Sequence, residues 1–497
     1  MEEDTSKAET GRLALVFGAS GYVGSNLVPR LIQHGYRIRA AGRNLDVLEA
    51  REWPGVELVQ ADALEPETLA GALAGVDVAY YLVHSMAAGR HFGELDLRAA
   101  DNFARAAGEA GVRRIVYLGG LVPPGADSEH LVSRAQTGER LRAGPVPVTE
   151  LRAGIIVGPG SAAFEVIRDL VYNLPVMVTP RWVKSKASPI ALENLLEYLV
   201  RMPELEETAG RVFDVGGPEL LSYEELMRQF ADLVGRKPII ISVPVLTPRL
   251  SSYWLCFVTA VPTNVARALI EGLKHDIPAD DSAIRRLIPQ RLLTFRESVQ
   301  AALEAERQSR VVARWTEGAL VFRNDRPEYA FYAKRASGSA VADASVDAAW
   351  DVVTAIGGKN GYYYMDFLWR LRAWLDALLG GSGARHGRRH PAELRVGDIL
   401  DAWRVIAMEP RRRLTLMMEM KAPGAGVLEF EVKAEGGGRT RVTATAYWHP
   451  AGVWGLLYWY ALVPVHLLIF RGMTRAIARR AEAVAEGRRE RATVGTV

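Results

Sequence analysis

Leu15-Val-Phe-Gly-Ala-Ser-Gly-Tyr-Val-Gly24 is the stretch on which the reading of this chain turns. An apolar run ends in a G-x-x-G-x-x-G loop at Gly18, Gly21 and Gly24. A strand that feeds a glycine turn and opens a helix is a phosphate-binding device. The glycines let the backbone turn tightly and approach a pyrophosphate, and the helix start supplies free N–H groups and a positive dipole end. The three glycines, with Ser20, Tyr22 and Val23 between them, are therefore expected to hold a dinucleotide. Binding is all that the loop implies; hydride transfer is a separate question.

Outward from this loop, strand-like and helix-like patterns alternate. Strands are expected over 13–17, 36–41, 56–60, 78–83, 115–118 and 148–152. Helices are expected over 22–34, 45–51, 66–74, 95–110 and 133–142. Alternation with short connections argues a doubly wound parallel sheet of Rossmann type. Residues 153–305 are more irregular. Helices are expected over 190–201 and 222–233, and a strand over 211–215. Ser222 and Glu225 have capping-box spacing. This segment should form the substrate-side wall of a cleft.

The end of the second strand reads the ribose. An acid there favours NAD, and a basic residue favours the 2′-phosphate of NADP. Here the segment is Arg37-Ile-Arg39-Ala-Ala-Gly-Arg43-Asn44, with no acid before Asp46. Arg43 is the best placed to clamp a phosphate, because a guanidinium makes bidentate contacts. The expected cofactor is NADP, with NAD second. Asp62, next to Ala63, follows the third strand, where a carboxylate can accept from an adenine amino group. Leu82, Val83 and His84 end the fourth strand and should line the cofactor cleft.

The chain has 497 residues, with 49% hydrophobic and 24% charged, which is ordinary for a globular protein. A net charge of +3 makes no case for a nucleic-acid partner. A single cysteine, Cys256, excludes an intrachain disulfide framework and fits a reducing, cytoplasmic compartment. The start, Met-Glu-Glu-Asp-Thr-Ser-Lys, is acidic and lacks the pattern of a signal peptide. The expected organisation is a tail over 1–10, a nucleotide-binding domain over 11–310 and a linker over 311–328. A second domain over 329–488 and a tail over 489–497 follow.

The second domain has a different rhythm. A strand over 329–336 and a short helix over 345–354 precede an aromatic helix over 362–379. Four strands follow, over 399–408, 413–421, 427–434 and 440–448, with Gly436-Gly437-Gly438 as a hairpin turn. A long helix over 454–486 closes the domain. This is an α+β layer in which the sheet wraps a helix. Within that helix Val453–Phe470 is apolar for eighteen residues, and Arg471, Arg475, Arg479 and Arg480 follow. It reads as a buried terminal helix, or as an interfacial or membrane-inserted one associated with the inner face of a membrane. His386 and His390 have metal-like spacing, but they sit in a glycine- and arginine-rich loop with no acidic third ligand, so no metal is expected.

These residues together resemble the short-chain dehydrogenase/reductase superfamily in its atypical branch. That branch includes the NmrA-like group and the NADPH-carrying accessory subunit of respiratory complex I. The resemblance covers about residues 11–305. It rests on the glycine loop, Arg43, Asp62, Tyr117-Leu-Gly-Gly120, Leu151-Arg-Ala-Gly-Ile-Ile-Val-Gly-Pro159 and Phe213-Asp-Val-Gly-Gly217. Catalytic members use a Tyr-x-x-x-Lys pair and a serine or threonine near the end of strand five. This chain departs from both. Its fifth strand ends in Gly119 and Gly120, and the next helix reads His130-Leu-Val-Ser133-Arg134-Ala-Gln-Thr-Gly-Glu139. The catalytic candidates are His130 and Ser133, with His84 and its neighbour Ser85 across the cleft. Arg134 is a candidate cofactor contact; its pKa forbids acid–base work at neutral pH.

The last third is similar to the DUF2867 group, on Gly361-Tyr-Tyr-Tyr-Met-Asp-Phe-Leu-Trp369 and Leu457-Tyr-Trp-Tyr460. Its pattern also resembles the START-like helix-grip fold. That resemblance implies an apolar cavity suited to lipids, quinones or polyketides. Three functions follow as expectations. The first is an NADP-dependent reductase of a small hydrophobic carbonyl or quinone-like compound. The second is a non-catalytic NADPH-binding sensor or assembly module. The third is a membrane-associated protein handling a lipid-like ligand, with peripheral contact through the terminal helix. The oligomeric state is not legible from the residues.

Overall fold

The structure, a computed structural model, describes residues 11–43, 45–49, 51–83, 92–123, 129–243, 275–308, 334–378, 394–395 and 398–494. His84, Ser85, the expected linker 311–328 and the basic loop with His386 and His390 lie outside them. The chain forms two compact units, Met1–Gly318 and Ala319–Val497.

The first unit begins β1 (Leu13–Phe17), α1 (Tyr22–Gln33), β2 (Arg37–Gly42), α2 (Leu45–Glu49), β3 (Glu57–Gln60), α3 (Leu69–Leu73), β4 (Val78–Tyr81) and α4 (Phe92–Glu109). It continues β5 (Arg114–Gly120), α5 (Glu129–Arg142), β6 (Val148–Ala153), β7 (Ile156–Val157), α6 (Ala162–Asn173), β8 (Val176–Pro180), β9 (Lys186–Ala187), β10 (Ile190–Ala191) and α7 (Leu192–Arg201). The described remainder is β11 (Val212–Val215), β12 (Leu221–Ser222), α8 (Tyr223–Leu233), β13 (Ile239–Val243), α9 (Ser282–Leu287) and α10 (Phe295–Arg307).

Seven strands form one parallel sheet in the order β11-β6-β5-β4-β1-β2-β3. Helices cover both faces, which is why β1 is apolar at every position and buried throughout. Ala14 and Val16 join the cluster containing Leu27 and Leu31 of α1. Leu13, Leu15 and Phe17 join the opposite cluster with Phe103 of α4. The strand order reverses between β1 and β4, and a doubly wound sheet binds its ligand at such a switch point. An aromatic knot fixes that point. Phe17 and Tyr81 stack at 5.9 Å, and Phe103 tilts onto them at 5.1 and 4.8 Å. Each such contact adds about 0.5–1.5 kcal/mol beyond burial.

Two expectations are corrected here. The strand expected over 211–215 is not part of an irregular wall: β11 pairs in parallel with β6 as the seventh strand of the main sheet. The helix expected from Ile190 starts at Leu192, because Ile190 and Ala191 pair with Ile156 and Val157 as a short strand. The capping box at α8 is present, with Glu225 N–H donating to Ser222 Oγ at 3.2 Å and Ser222 N–H to Glu225 Oε2 at 2.7 Å.

The second unit contains β14 (Lys334–Ala342), α11 (Val346–Thr354), α12 (Asp366–Leu378), β15 (Ile399–Leu400), β16 (Trp403–Glu409), β17 (Arg413–Met418), β18 (Gly424–Gly436), β19 (Arg439–Pro450) and α13 (Gly452–Val494). Its antiparallel sheet runs β14-β19-β18-β17-β16-β15. The last strand returns beside the first, and α13 packs across the sheet through Phe470, Met473, Ile477 and Ala481. A six-stranded antiparallel sheet is thus packed on the long terminal helix, the α+β layer expected.

Here too the residues correct the expectation. The aromatic helix starts at Asp366 rather than Tyr362, because Tyr363 and Met365 take φ of 66° and 52°. The strand expected over 399–408 breaks at Asp401, where φ is 50°. Among the described residues one helix segment, Gly452–Glu486, is long and apolar enough to cross a membrane.

Candidate functional site

The glycine loop sits at the C-terminal end of β1. Its backbone is gripped by β2: Gly18 and Ala19 N–H donate to Ala41 O at 3.0 and 3.1 Å. Gly18 has φ of 93°, and a Cβ there would lie 3.0 Å from the Leu82 carbonyl carbon. A Cβ on Gly24 would lie 2.4 Å from Gly18 O. Both positions therefore require glycine, and the loop lies flat against the end of β4. Gly21 N–H donates to Gly18 O at 3.0 Å, and Ser25 Oγ donates to Ala19 O at 2.8 Å. The first-turn amides of Tyr22, Val23 and Gly24 have no carbonyl partner inside their own helix. The first turn carries no acidic side chain, so its positive end is left for an external anion. Ser20, beside Gly42, completes the rim.

The three arginines of the β2 segment have different surroundings. Arg37 pairs with Leu13, at the end of the sheet away from the loop. Arg39 is buried; its guanidinium donates to Ala72 O at 2.9 Å and Ala74 O at 2.7 Å and pairs with Glu57 at 2.9 Å. Arg43 follows Gly42 directly, at the loop end, and is exposed. Its carbonyl accepts from Gln60 Nε2 at 3.1 Å. Asp62 is held by its own turn: Leu64 N–H donates to Oδ1 at 2.9 Å and Asp62 N–H donates to Thr68 Oγ1 at 3.0 Å. Ala63 is buried and its carbonyl accepts from Asn102 of α4 at 2.9 Å. Leu82 N–H donates to Phe17 O at 2.9 Å, so Leu82 and Val83, both half-buried, carry β4 past the loop.

Across the switch point, the places of the usual catalytic side chains are filled differently. A Cβ on Gly119 would lie 3.0 Å from Glu150 Oε1, and one on Gly120 would lie 2.9 Å from Arg134 Nε. The glycines that end β5 thus make room for two charged groups. Glu150 is 1% exposed and pairs with Arg142 and with Arg152, the latter at 2.8 Å. Arg134 donates to Leu118 O at 2.7 Å, while its buried Nε has no hydrogen-bond partner among the described residues. Ser133, a catalytic candidate from the sequence, is 2% exposed and donates to Asp96 Oδ2 of α4 at 3.1 Å. It ties α5 to α4, and reaching a substrate would cost that bond. His130 stands four residues before Arg134 on α5, with its side chain outside the described residues. The backbone spacing of the two is that of the Tyr-x-x-x-Lys pair.

Two features were not legible from the sequence. Glu150 sits on a strand where an alternating polar residue would be expected to face water, and no local signal marks its burial. Tyr22 points its hydroxyl away from the loop toward Gly158 of the substrate-side segment. Burial, and then the nearby Glu165, push its pKa well up, so it stays protonated.

Residues 10–131 match the NmrA-like family, and residues 330–473 match DUF2867, a protein family of unknown function. The chain is 29% identical over 233 residues to a (4-alkanoyl-5-oxo-2,5-dihydrofuran-3-yl)methyl phosphate reductase of Streptomyces griseus, covering 45% of this chain and 74% of that one. It is 24% identical over 277 residues to the photosystem II assembly factor Ycf39 of Guillardia theta, covering 54% of this chain and 85% of that one. Among solved structures, it resembles the triphenylmethane reductase of Citrobacter sp. complexed with NADP(H). There the TM-score is 0.49 at 20% identity, covering 58% of this chain and 99% of that one.

Proposed function

We propose that this chain, which carries an NmrA-like domain and a DUF2867 domain, binds NADP(H) and reduces a small hydrophobic carbonyl or quinone-like compound. The observation that carries the proposal is the glycine loop closed over a helix start with no acidic side chain in its first turn, with exposed Arg43 at its rim. The amides of Tyr22, Val23 and Gly24 hold the pyrophosphate. Arg43 takes the 2′-phosphate, and the Asp62 carboxylate accepts from the adenine amino group. A bound nicotinamide supplies the hydride. On α5, His130 is the residue able to give a proton to a carbonyl oxygen near neutral pH. Arg134, four residues on, is fixed by Leu118 O. The DUF2867 domain holds the apolar ligand.

The test is a fluorescence titration of the purified full chain with NADPH and NADH, followed by NADPH oxidation across quinones and apolar carbonyls. NADPH binding with turnover that His130→Ala abolishes supports the proposal. Absence of binding overturns it.

One observation favours a second reading. Ser133 and Arg134 both bond internally, as Ser133–Asp96 and Arg134–Leu118, which suits a module that binds NADPH without chemistry. That reading predicts binding with no turnover on any compound of the panel. A turnover abolished by His130→Ala would sink it.

A further inference from the structure

The geometry points to a membrane-docking surface on the DUF2867 domain, formed by α12 and the first half of α13 and fitted to an anionic bilayer. The inference is independent of the reductase reading.

α12 leaves Phe367, Leu371, Trp374, Leu375 and Leu378 exposed, with Trp374 at 58% and Leu378 at 67%. Their spacing of i, i+4, i+7, i+8 and i+11 is one continuous helical face. α13 does the same with Trp454, Leu457, Leu467 and Leu468, with Trp454 at 72% exposure. Ala461 and Pro464 are exposed on the same stripe. One hydrogen bond links the helices, Arg372 Nε donating to Tyr458 Oη at 3.1 Å. A soluble core helix buries its apolar residues. Here only 28% of the most apolar 18-residue stretch of α13 is buried. Two exposed apolar stripes on linked helices of a folded domain mark an interaction site.

The charges on these helices select the partner. The acids of α12 are turned inward and used: Asp366 accepts from Tyr362 N–H at 2.8 Å and Asp376 from Lys421 N–H at 2.7 Å. α13 has no acid before Glu482. Among the described side chains the exposed charges up to Arg480 are all arginine, namely Arg370 on α12 and Arg471, Arg475, Arg479 and Arg480 beyond the apolar stretch of α13; Glu486 is exposed further along the helix. An apolar face bordered by arginines and tryptophans matches an interfacial helix on anionic lipid.

The buried face of α13 decides how it sits. Trp459, Ile469, Phe470 and Met473 lie in the domain core, and Leu456 is buried. A Cβ on Gly338 of β14 would lie 2.4 Å from the Phe470 carbonyl carbon, so helix and sheet touch backbone to backbone. Spanning a bilayer would strip this core. The helix therefore lies in the interface with its outer face immersed.

The test is sedimentation of the full chain with phosphatidylcholine vesicles, with and without phosphatidylglycerol. The chain is expected to sediment with the anionic vesicles, less so at high salt, with a blue shift of tryptophan emission. Arg471→Ala and Arg475→Ala should each lower anionic binding about fivefold. Leu371→Glu with Leu457→Glu should lower it by about tenfold or more, with unchanged far-ultraviolet circular dichroism. Failure to sediment with either vesicle overturns the proposal. So does a stable dimer that Leu457→Glu dissociates while vesicle binding is absent, which would assign the face to a second copy.

Discussion

Arg43→Ala removes the exposed guanidinium at the loop end of β2 and touches nothing that holds the sheet together. Its carbonyl bond from Gln60 is a backbone contact and survives. A guanidinium on a phosphate makes two charge-assisted hydrogen bonds, and bonds to charged groups contribute about 1.5–3 kcal/mol each. Because Arg43 is exposed, solvent screens the pair, and a total near the value of one such bond is the reasonable expectation. That is a loss of about 10- to 150-fold in NADPH affinity. NADH lacks the 2′-phosphate, so its affinity should move by about twofold at most, as for an ordinary surface change. Titration of both nucleotides against wild type, Arg43→Ala and Arg37→Ala reads this directly. Arg37 lies at the opposite end of the strand and should be silent. The NADPH loss should shrink as salt rises, because the contact is surface-exposed. Equal losses for NADPH and NADH, or a loss on Arg37→Ala, would refute the assignment of the 2′-phosphate to Arg43.

Gly24→Ala places a methyl 2.4 Å from Gly18 O and 2.9 Å from Ala19 Cα; neither backbone atom can swing away. It should cost about 1–3 kcal/mol of stability and abolish the thermal shift on adding NADPH. Ser133→Ala leaves the buried Asp96 carboxylate short of a donor. It should lower stability by about 1–3 kcal/mol while leaving kcat of any demonstrated reaction within about twofold; a kcat collapse at unchanged KM would restore Ser133 to the chemistry. His466 lies against the rings of Trp459 at 5.0 Å and Phe470 at 5.8 Å, and burial lowers its pKa from 6.5 to about 4. Between these values the unfolded chain binds a proton that the folded chain refuses, so the stability of the second unit should fall as pH drops from about 6.5 toward 4. The loss is at most about 3 kcal/mol, reduced by screening at the exposed edge of the ring. Denaturant titrations at several pH values should show this slope in wild type and lose it in His466→Leu.

Local signals carried the sequence reading far. Leu13–Phe17 was legible to the residue because both faces of β1 are covered, leaving an apolar run with no alternation. The capping box at Ser222 and the triple glycine with φ of 82°, 61° and 78° are likewise local devices. Pairing across the chain was not legible. Val212–Val215 reads as a strand, but nothing in four residues says that its partner is β6, some sixty residues earlier. The start of α12 was misplaced because Tyr363 and Met365 adopt backbone angles that their types do not announce. At the site, the cradle followed from glycine spacing. The fate of Ser133 did not, since its partner Asp96 lies on another helix. Glu150 was invisible because nothing local announces its burial: Arg142 comes from α5, and Arg152, two residues on, shares its face of β6.

Gly120 and Arg134 have a consequence for how this site can change. A serine at position 120 would drive its Cβ to 2.9 Å from Arg134 Nε and 3.1 Å from its Cδ. Moving the guanidinium aside would cost its bond to Leu118 O. Shortening Arg134 first would relieve the clash but leave that buried carbonyl without its donor. Each single step is unfavourable in the background of the other, and only the pair moves together. The two residues are an epistatic lock: a route from this site to a serine-bearing one, by mutation or by design, crosses a double substitution rather than a ladder of single ones.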